Sequence, residues 1–383
     1  MKKIYLDYAA AAPLDPRVNK HMQKFNDSDF GNPQSIHSLG VSAREALEGA
    51  RKSVSKILGG RKTEVIFTGG GTESVNLAIL GLSRSIGRGE IITTAIEHPA
   101  VLEACRQLEK EGFKVKYVPV KKSGIVDPKD IEQEITDETI LVSVMYANNE
   151  IGTIQPIPAI GRLINRLNAG RRQKIHFHTD ACQAGLLDLN VGKLRVDLMS
   201  LNGGKIYGPK QSGVLYIKTA TPIQPIIFGG GQENGLRGGT QNVGLSVGFS
   251  EALKLIQNER ETQSTKLINL RDYFFNILKR QIPEAIINGD LKERLPNNVN
   301  ITIPGIDGEA AVIYMDEKGF EISTGSACSS VKIEPSHVIL ALGKSKDEAD
   351  ASLRFSFGWP TKKSDIEAAV RALTDILPQV RNT

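Results

Sequence analysis

Lys205 sits in Asn202-Gly203-Gly204-Lys205-Ile206-Tyr207-Gly208-Pro209, an amine flanked by glycines and followed by a Gly-Pro turn. Upstream, the strand-like run Lys174-Ile175-His176-Phe177-His178 leads into Thr179-Asp180-Ala181-Cys182-Gln183 and sets a carboxylate at its end. Earlier still, Val65-Ile66-Phe67 runs into Thr68-Gly69-Gly70-Gly71-Thr72-Glu73-Ser74. Glycines there, Gly71 among them, let backbone N–H groups approach an anion where the next helix presents its positive end, so the stretch reads as a phosphate cradle. Its spacing matches neither G-x-G-x-x-G nor a Walker loop, which weakens dinucleotide and nucleoside triphosphate readings. A lysine amine, a carboxylate and a phosphate site together point to pyridoxal phosphate. Its aldehyde takes a lysine, and its ring nitrogen takes an acid that strengthens the ring as an electron sink.

Taken singly, each of these residues has a plainer reading. The glycine run fits a flexible turn and Asp180 a helix cap. His98, after the run Glu90 to Thr94, fits a cap or a packed side chain, and Asn149 in Asn148-Asn149-Glu150 fits a turn. Lys210 is the rival lysine, but it lies past the Pro209 turn, where exposure is expected. His176 and His178 share one face of a strand with Asp180 and Cys182 following, a pattern open to a metal; such pairs are commonly core or surface residues, and no metal is expected. The three cysteines, far apart and odd in number, do not suit a disulfide framework. Cys105 reads as core on its helix face and Cys182 as a small site-lining residue; Cys328, by itself, reads as a buried small residue or as a nucleophile.

The elements that must position these groups follow an α/β pattern. From Val65 to Lys218 short apolar runs alternate with amphipathic stretches, as in a mainly parallel sheet flanked by helices. Strands are expected at Val65 to Phe67, Glu90 to Thr94, Val115 to Val120, Ile140 to Met145, Ile175 to His178 and Val214 to Ile217, with ligand-binding residues beyond their carboxyl ends. Pro99 to Lys110 reads as a helix with Val101, Leu102, Cys105 and Leu108 on one face, Pro99 in its first turn and Gly112 as its stop. A long helical region from about Leu245 to Leu278, polar in its middle, carries the domain boundary. A large domain over 13–255 and a small α+β domain of 1–12 with 256–383 are expected, since 383 residues exceed one ordinary core. In the small domain, strands are expected at Val299 to Ile303, Glu321 to Ser323 and Leu353 to Phe357, and helices at Glu309 to Met315 and Asp365 to Leu377.

Composition, 40% hydrophobic and 24% charged, is that of a globular protein. Lys and Arg outnumber Asp and Glu by 48 to 43, with basic pairs scattered along the chain, which gives no support to nucleic-acid binding. No apolar run approaches the roughly 20 residues of a membrane span, so a cytoplasmic location is expected.

Read in order along nearly the whole chain, these motifs resemble the aminotransferase class V family, and closely its cysteine desulfurase branch serving iron-sulfur and thio-cofactor assembly. The resemblance runs through Ile4-Tyr5-Leu6-Asp7-Tyr8-Ala9-Ala10, Gly31-Asn32-Pro33-Gln34-Ser35-Ile36-His37, Phe67 to Asn76, Glu97-His98 and Asn148-Asn149-Glu150-Ile151-Gly152. It continues in Asp180-Ala181-Cys182-Gln183, Lys205 to Lys210, Gly229 to Glu233, Gly235 to Thr240, Ser323 to Cys328 and Leu353-Arg354-Phe355-Ser356. It implies a fold-type I transferase, whose large domain holds a mainly parallel seven-stranded sheet beside a smaller α+β C-terminal domain. It also implies pyridoxal 5'-phosphate attached to Lys205, with Asp180 at the ring nitrogen, His98 stacked on the ring, Gln183 at the ring hydroxyl, and Gly71 and Thr72 at the phosphate. Thr240 reaches the phosphate of a neighbouring subunit in this reading, which implies a homodimer. Arg354, helped by Asn149, clamps the substrate carboxylate as a fork.

The implied reaction takes sulfur from L-cysteine, leaves L-alanine and holds the sulfur as a persulfide on Cys328. An acceptor or cluster-scaffold protein then receives it for iron-sulfur clusters, thio-cofactors or tRNA thiolation. Small residues around Cys328 (Ser326, Ala327, Ser329, Ser330) and the stretch Val331 to Glu334 before Pro335 resemble the long sulfur-delivering loop of that branch. Two departures stand out. Asn202 and Gly204 occupy positions where the family commonly has Ser and His; Asn202 can still donate to phosphate, whereas Gly204 offers only backbone. Ala11-Ala12-Pro13 replaces the usual threonines. The alternatives are a selenocysteine lyase or other class V aminotransferase or lyase, which needs no thiol acceptor, and a non-catalytic sulfur-transfer scaffold, which needs no cofactor.

Overall fold

The computed structural model describes residues 3–325 and 335–381; Cys328 and the residues immediately around it lie outside the described residues. The strands in chain order are β1 (Ile4–Tyr5), β2 (Val65–Thr68), β3 (Glu90–Thr94), β4 (Lys114–Val118), β5 (Thr139–Ser143), β6 (His176–Asp180), β7 (Leu198–Asn202) and β8 (Gly213–Ile217). Those after β1 form a seven-stranded sheet of order β2-β8-β7-β6-β5-β3-β4. β8 is antiparallel to β2 and to β7, and the remaining pairs are parallel. Because β8 reverses direction between two neighbours, β2 points the same way as the parallel strands. The carboxyl ends of β2, β3, β5, β6 and β7 therefore open on one edge of the sheet.

Alternation along the strands divides the core into two layers. Val65, Phe67, Ile92, Val142, Met199, Val214 and Tyr216 pack on one side with Val54, Leu58, Ile160, Phe249 and Leu253. Ile66, Ile91, Leu141, Leu198 and Leu215 pack on the other with Val75, Ile79, Leu82, Val101 and Leu108. Both faces are dry, which is why these strands read as continuous apolar runs.

The C-terminal part builds a second core around a four-stranded sheet. Its strands are β9 (Ile286–Ile287), β10 (Asn298–Thr302), β12 (Ser323–Thr324) and β13 (Ser352–Ser356), in the order β12-β13-β10-β9. β11 (Phe320–Glu321) pairs with β1, and Leu6, just after it, is buried in this second core with Phe274, Val299, Phe355 and Val370. The N-terminal segment thus leaves the C-terminal core and runs towards the large sheet.

Several expected elements differ in detail. β7 lies outside the expected strands: Leu198-Met199-Ser200-Leu201 has no β-branched residue to mark it as one. β6 extends through Asp180, whose carboxylate is the strand's last side chain and not part of the loop beyond it. The expected long helix is two, Val243–Asn258 and Arg260–Gln281, separated at Glu259 (φ −93°, ψ 1°) within the polar middle. The helix Pro99–Lys110 has the expected limits. Among the described residues no helix is long and apolar enough to cross a membrane.

Candidate active site

Where the strand ends converge, a cleft is lined by Gly71, Thr72, His98, Asn149, Asp180, Gln183, Asn202, Lys205 and Arg354. These positions come from six separate stretches of chain, and nine of the expected site residues meet there. Gly204 does not line the cleft: it is buried behind Lys205, where its carbonyl accepts from Ala12 N–H at 2.9 Å. Thr240 is exposed in a separate polar cleft with Gly69, Gly213, Glu233 and Arg237. Cys328, the expected acceptor, lies outside the described residues.

The glycine loop is held rigidly. Glu73 Oε2 accepts from Gly69 N–H at 2.9 Å, Arg237 Nε donates to Glu73 Oε1 at 3.0 Å, and Thr68 Oγ1 pairs with Ser74 Oγ at 2.6 Å. Gly70 has φ of 142°, in the region that favours glycine. At Gly71 a Cβ would lie 2.6 Å from Cys182 Sγ and 3.3 Å from Asn202 Cβ, so glycine is required by close approach. The helix that begins at Gly71 continues with helical dihedrals through a π-turn over Leu77–Gly81 into Leu82–Ile86. Its first-turn N–H groups at Gly71 and Thr72 have no acceptor within the helix, and both residues line the cleft.

His98 both caps a helix and lines the cleft, so the two readings of the sequence hold together. Its Nδ1 accepts from Ala100 N–H at 3.1 Å. That fixes the neutral ring with the proton on Nε2. Burial lowers its pKa, the charge of Asp180 opposes that shift, and the charge of Lys205 adds to it. Asp180 is 6% exposed, and its Oδ1 accepts from Cys182 N–H at 2.9 Å. Cys182 lines the cleft as expected, but burial and the nearby Asp180 charge push its thiol well up, which keeps it protonated. Cys105 is core, pushed up to about 12 by burial.

Lys205 Nζ donates to the Ala9 carbonyl at 2.9 Å and to the Ala10 carbonyl. Gln183 Nε2 donates to the same Ala9 carbonyl at 2.9 Å. The Ala9-Ala10 segment is thus a wall of the site, a role its apolar side chains gave no means of finding, because it is played by backbone carbonyls. Asn202 Oδ1 accepts from Gly204 N–H at 3.0 Å, so its side chain stiffens the turn into Lys205. Lys210, the rival, is exposed.

Arg354 is 3% exposed; Nη2 donates to Asp7 Oδ1 at 2.8 Å and Nη1 to the Asn149 carbonyl at 3.2 Å. Its Nε is buried without a partner among the described residues. As for the metal pattern, both ring nitrogens of His178 are engaged by hydroxyls, Ser143 at 2.8 Å and Ser200 at 3.0 Å. Among the described residues no group of three or more His, Cys, Asp or Glu could hold a metal ion.

The arrangement offers a lysine amine, a buried carboxylate, an imidazole, helix N–H groups and a buried guanidinium around one cleft. Comparison with known proteins agrees with it. The aminotransferase class-V family matches residues 4–369. The chain is 43% identical over 383 residues to "Cysteine desulfurase IscS" of Dictyoglomus turgidum, covering 99% of this chain and 96% of that protein. It is 44% identical over 385 residues to a protein of the same description from Clostridium botulinum, with the same coverage. Among solved structures, one described as "NifS-like protein" superposes with a TM-score of 0.91 at 34% identity, covering 99% of this chain and all of that one (100%).

Proposed function

The chain belongs to the aminotransferase class-V family and is a cysteine desulfurase of fold type I, and from that premise we propose which of its residues bind, react and hand on sulfur. The residues of the cleft fit pyridoxal 5'-phosphate, the cofactor the family uses. Gly71 leaves no room for a side chain, and at the first turn of a helix its N–H and that of Thr72 are the donors a phosphate would take. Asp180 supplies a buried carboxylate for the ring nitrogen, His98 a neutral ring face, Gln183 and Asn202 amides at the periphery, and Lys205 the amine. Bound there, the cofactor supplies an aldehyde for amine condensation and a ring that draws electrons from the attached carbon.

The chain's own groups then divide the work. Lys205 Nζ, held by the Ala9 and Ala10 carbonyls, would hold the cofactor, and as a free amine it moves a proton at the substrate Cα. Arg354 binds the substrate carboxylate, with Asn149 beside it. Cys328, as thiolate, attacks the sulfur of cysteine. A sulfur-sulfur bond forms, the Cβ–S bond breaks, and the electron pair left on Cβ ends as a C–H bond of alanine, so cysteine and one thiol become alanine and one persulfide. Gly325 lines the cleft and Cys328 follows three residues later, a covalent reach of at most about 11 Å. Thr240 completes the phosphate site of a second copy in a homodimer, and a cytoplasmic acceptor or scaffold protein takes the sulfur.

The observation that carries this reading is the meeting of Lys205, Asp180, His98 and Arg354 at one cleft. Borohydride reduction of the cofactor-loaded protein, followed by peptide mapping, should place the cofactor on Lys205, and Cys328→Ala should stay yellow while losing persulfide formation. An unmodified Lys205 peptide after reduction would defeat the assignment.

A further inference from the structure

Glu150 is a buried carboxyl, 5% exposed, with no place at the cofactor or substrate in the reading above. Its backbone is fixed from both sides. Asn148 Oδ1 accepts from Glu150 N–H at 2.8 Å, and the Glu150 carbonyl accepts from Asn298 Nδ2 at 3.0 Å and Asn300 Nδ2 at 3.2 Å, both on β10. Held in this way, its side chain meets the two chain segments that flank the stretch containing Cys328. Ser336 Oγ donates to Glu150 Oε2, and Gly325 packs so closely that a Cβ there would collide with that same oxygen.

The far flank is tied down further. Ser336 Oγ accepts from Ile339 N–H at 3.2 Å as the cap of helix His337–Ala341, and His337 Nε2 donates at 3.0 Å to the Glu97 carbonyl, one residue before His98. Both flanks are therefore registered on the loop that carries Asn149, and the far one also on the loop that carries His98. Burial pushes the Glu150 carboxyl up to about 7, while the Ser336 hydrogen bond and the Arg354 charge pull it back. A buried acceptor of this kind loses most when a donor to it is removed.

We propose that Glu150 is a positioning residue for sulfur transfer: by pinning Gly325 and Ser336 beside Asn149 and Arg354, it sets the rate at which Cys328 captures the sulfur leaving cysteine. The inference rests on the reading of Cys328 as the acceptor. It separates two jobs within Asn149-Glu150, the first residue facing the substrate and the second the flanks of the acceptor segment.

The test uses the full-length, cofactor-loaded protein as wild type, Glu150→Ala, Glu150→Gln, Ser336→Ala and Cys328→Ala. Three quantities are read: cofactor affinity, the KM for cysteine, and persulfide on the Cys328 peptide in a single turnover, by mass spectrometry. Glu150→Ala should slow persulfide formation roughly tenfold or more, the equivalent of one lost buried hydrogen bond. Cofactor affinity and KM should stay within about twofold. Glu150→Gln should recover most of the rate, because its amide oxygen can still accept from Ser336 and its volume still backs Gly325. Ser336→Ala, which removes one oxygen, should fall between them and carries the test if Glu150→Ala does not fold. Wild-type persulfide rates in Glu150→Ala and Ser336→Ala, or losses matched by equal losses of cofactor and substrate affinity, overturn the inference. Sulfur capture persisting in Cys328→Ala instead removes the acceptor reading on which it stands.

Discussion

Asp7 and Arg354, near opposite ends of the chain, form one unit: Asp7 Oδ1 accepts from Arg354 Nη2 at 2.8 Å, on a guanidinium that is 3% exposed. The Asn149 carbonyl holds Nη1 at 3.2 Å, and Nε is buried with no partner among the described residues. The fork is thus held in one orientation, as the proposed binding of a substrate carboxylate requires, at the cost of a buried charge whose counter-ion comes from the N-terminal segment. Arg354→Lys offers a point charge without the fork. Its KM for cysteine should rise about 10- to 100-fold, the range of a charge-assisted pair worth about 1.5–3 kcal/mol. Asp7→Asn keeps an acceptor oxygen but not the charge, so its effect on KM should be smaller, with cofactor colour retained in both. Initial rates of alanine formation against cysteine concentration decide it; an unchanged KM in Arg354→Lys removes Arg354 from the substrate.

Gly71 and Cys182 are coupled by space. A Cβ at Gly71 would meet Cys182 Sγ at 2.6 Å, tighter than real contacts, on a loop braced by Glu73 and Arg237. Gly71→Ala should therefore weaken cofactor binding by about 1–3 kcal/mol, the usual cost of overpacking. Cys182→Ala alone should be close to neutral, and the double variant should recover much of the loss, because removing the sulfur vacates the space the new methyl needs. Titration with pyridoxal phosphate, read by absorbance, measures the cycle. Strict additivity of the two changes would show that the sulfur is not what glycine avoids. The same Cys182→Ala protein should keep full persulfide formation, since a thiol pushed up by burial is a poor nucleophile.

Much of this site was legible in sequence because its chemistry follows strand ends. Asp180, His98, Asn149 and the glycine loop each come after an apolar run, and a sheet whose strands share direction brings such positions together. Arg354 and Lys205 added residue types with few structural uses in those settings. What escaped was carried by backbone and by local packing. The Ala9 and Ala10 carbonyls hold Lys205 and Gln183, which no side-chain pattern reveals. β7 escaped because its leucines and methionine suit a helix as well as a strand. The break at Glu259 escaped because a polar helix middle looks the same whether the helix is continuous or not. Gly204 was expected at the cofactor from its place beside Lys205, yet its carbonyl is turned to Ala12.

Glu97 gives the protein a pH-dependent weakness next to its site. It is fully buried at 0% exposure, and its Oε1 accepts from Thr94 Oγ1 at 2.6 Å and Met145 N–H at 3.0 Å. Its Oε2 has no partner among the described residues. Burial, reinforced by the Asp180 charge and opposed by those two hydrogen bonds, pushes the carboxyl up to about 8 from its ordinary 4.5. Below pH 4.5 the group is protonated in both the folded and unfolded chain and stability is indifferent to it. Between 4.5 and 8 the unfolded chain has released the proton that the folded chain keeps, so stability falls as pH rises, by about 1 kcal/mol per pH unit for this one group. Above 8 both states are ionised and the loss is complete. Glu97→Gln keeps the shape and the accepting oxygen but cannot ionise. Denaturant unfolding of the two cofactor-saturated proteins at pH 5, 6, 7, 8 and 9 should therefore give a stability difference, variant minus wild type, that grows steadily to about pH 8 and then levels. Titrating groups that do not interact with Glu97 cancel in that difference, so two parallel curves over the whole range would mean that Glu97 ionises freely in the folded protein.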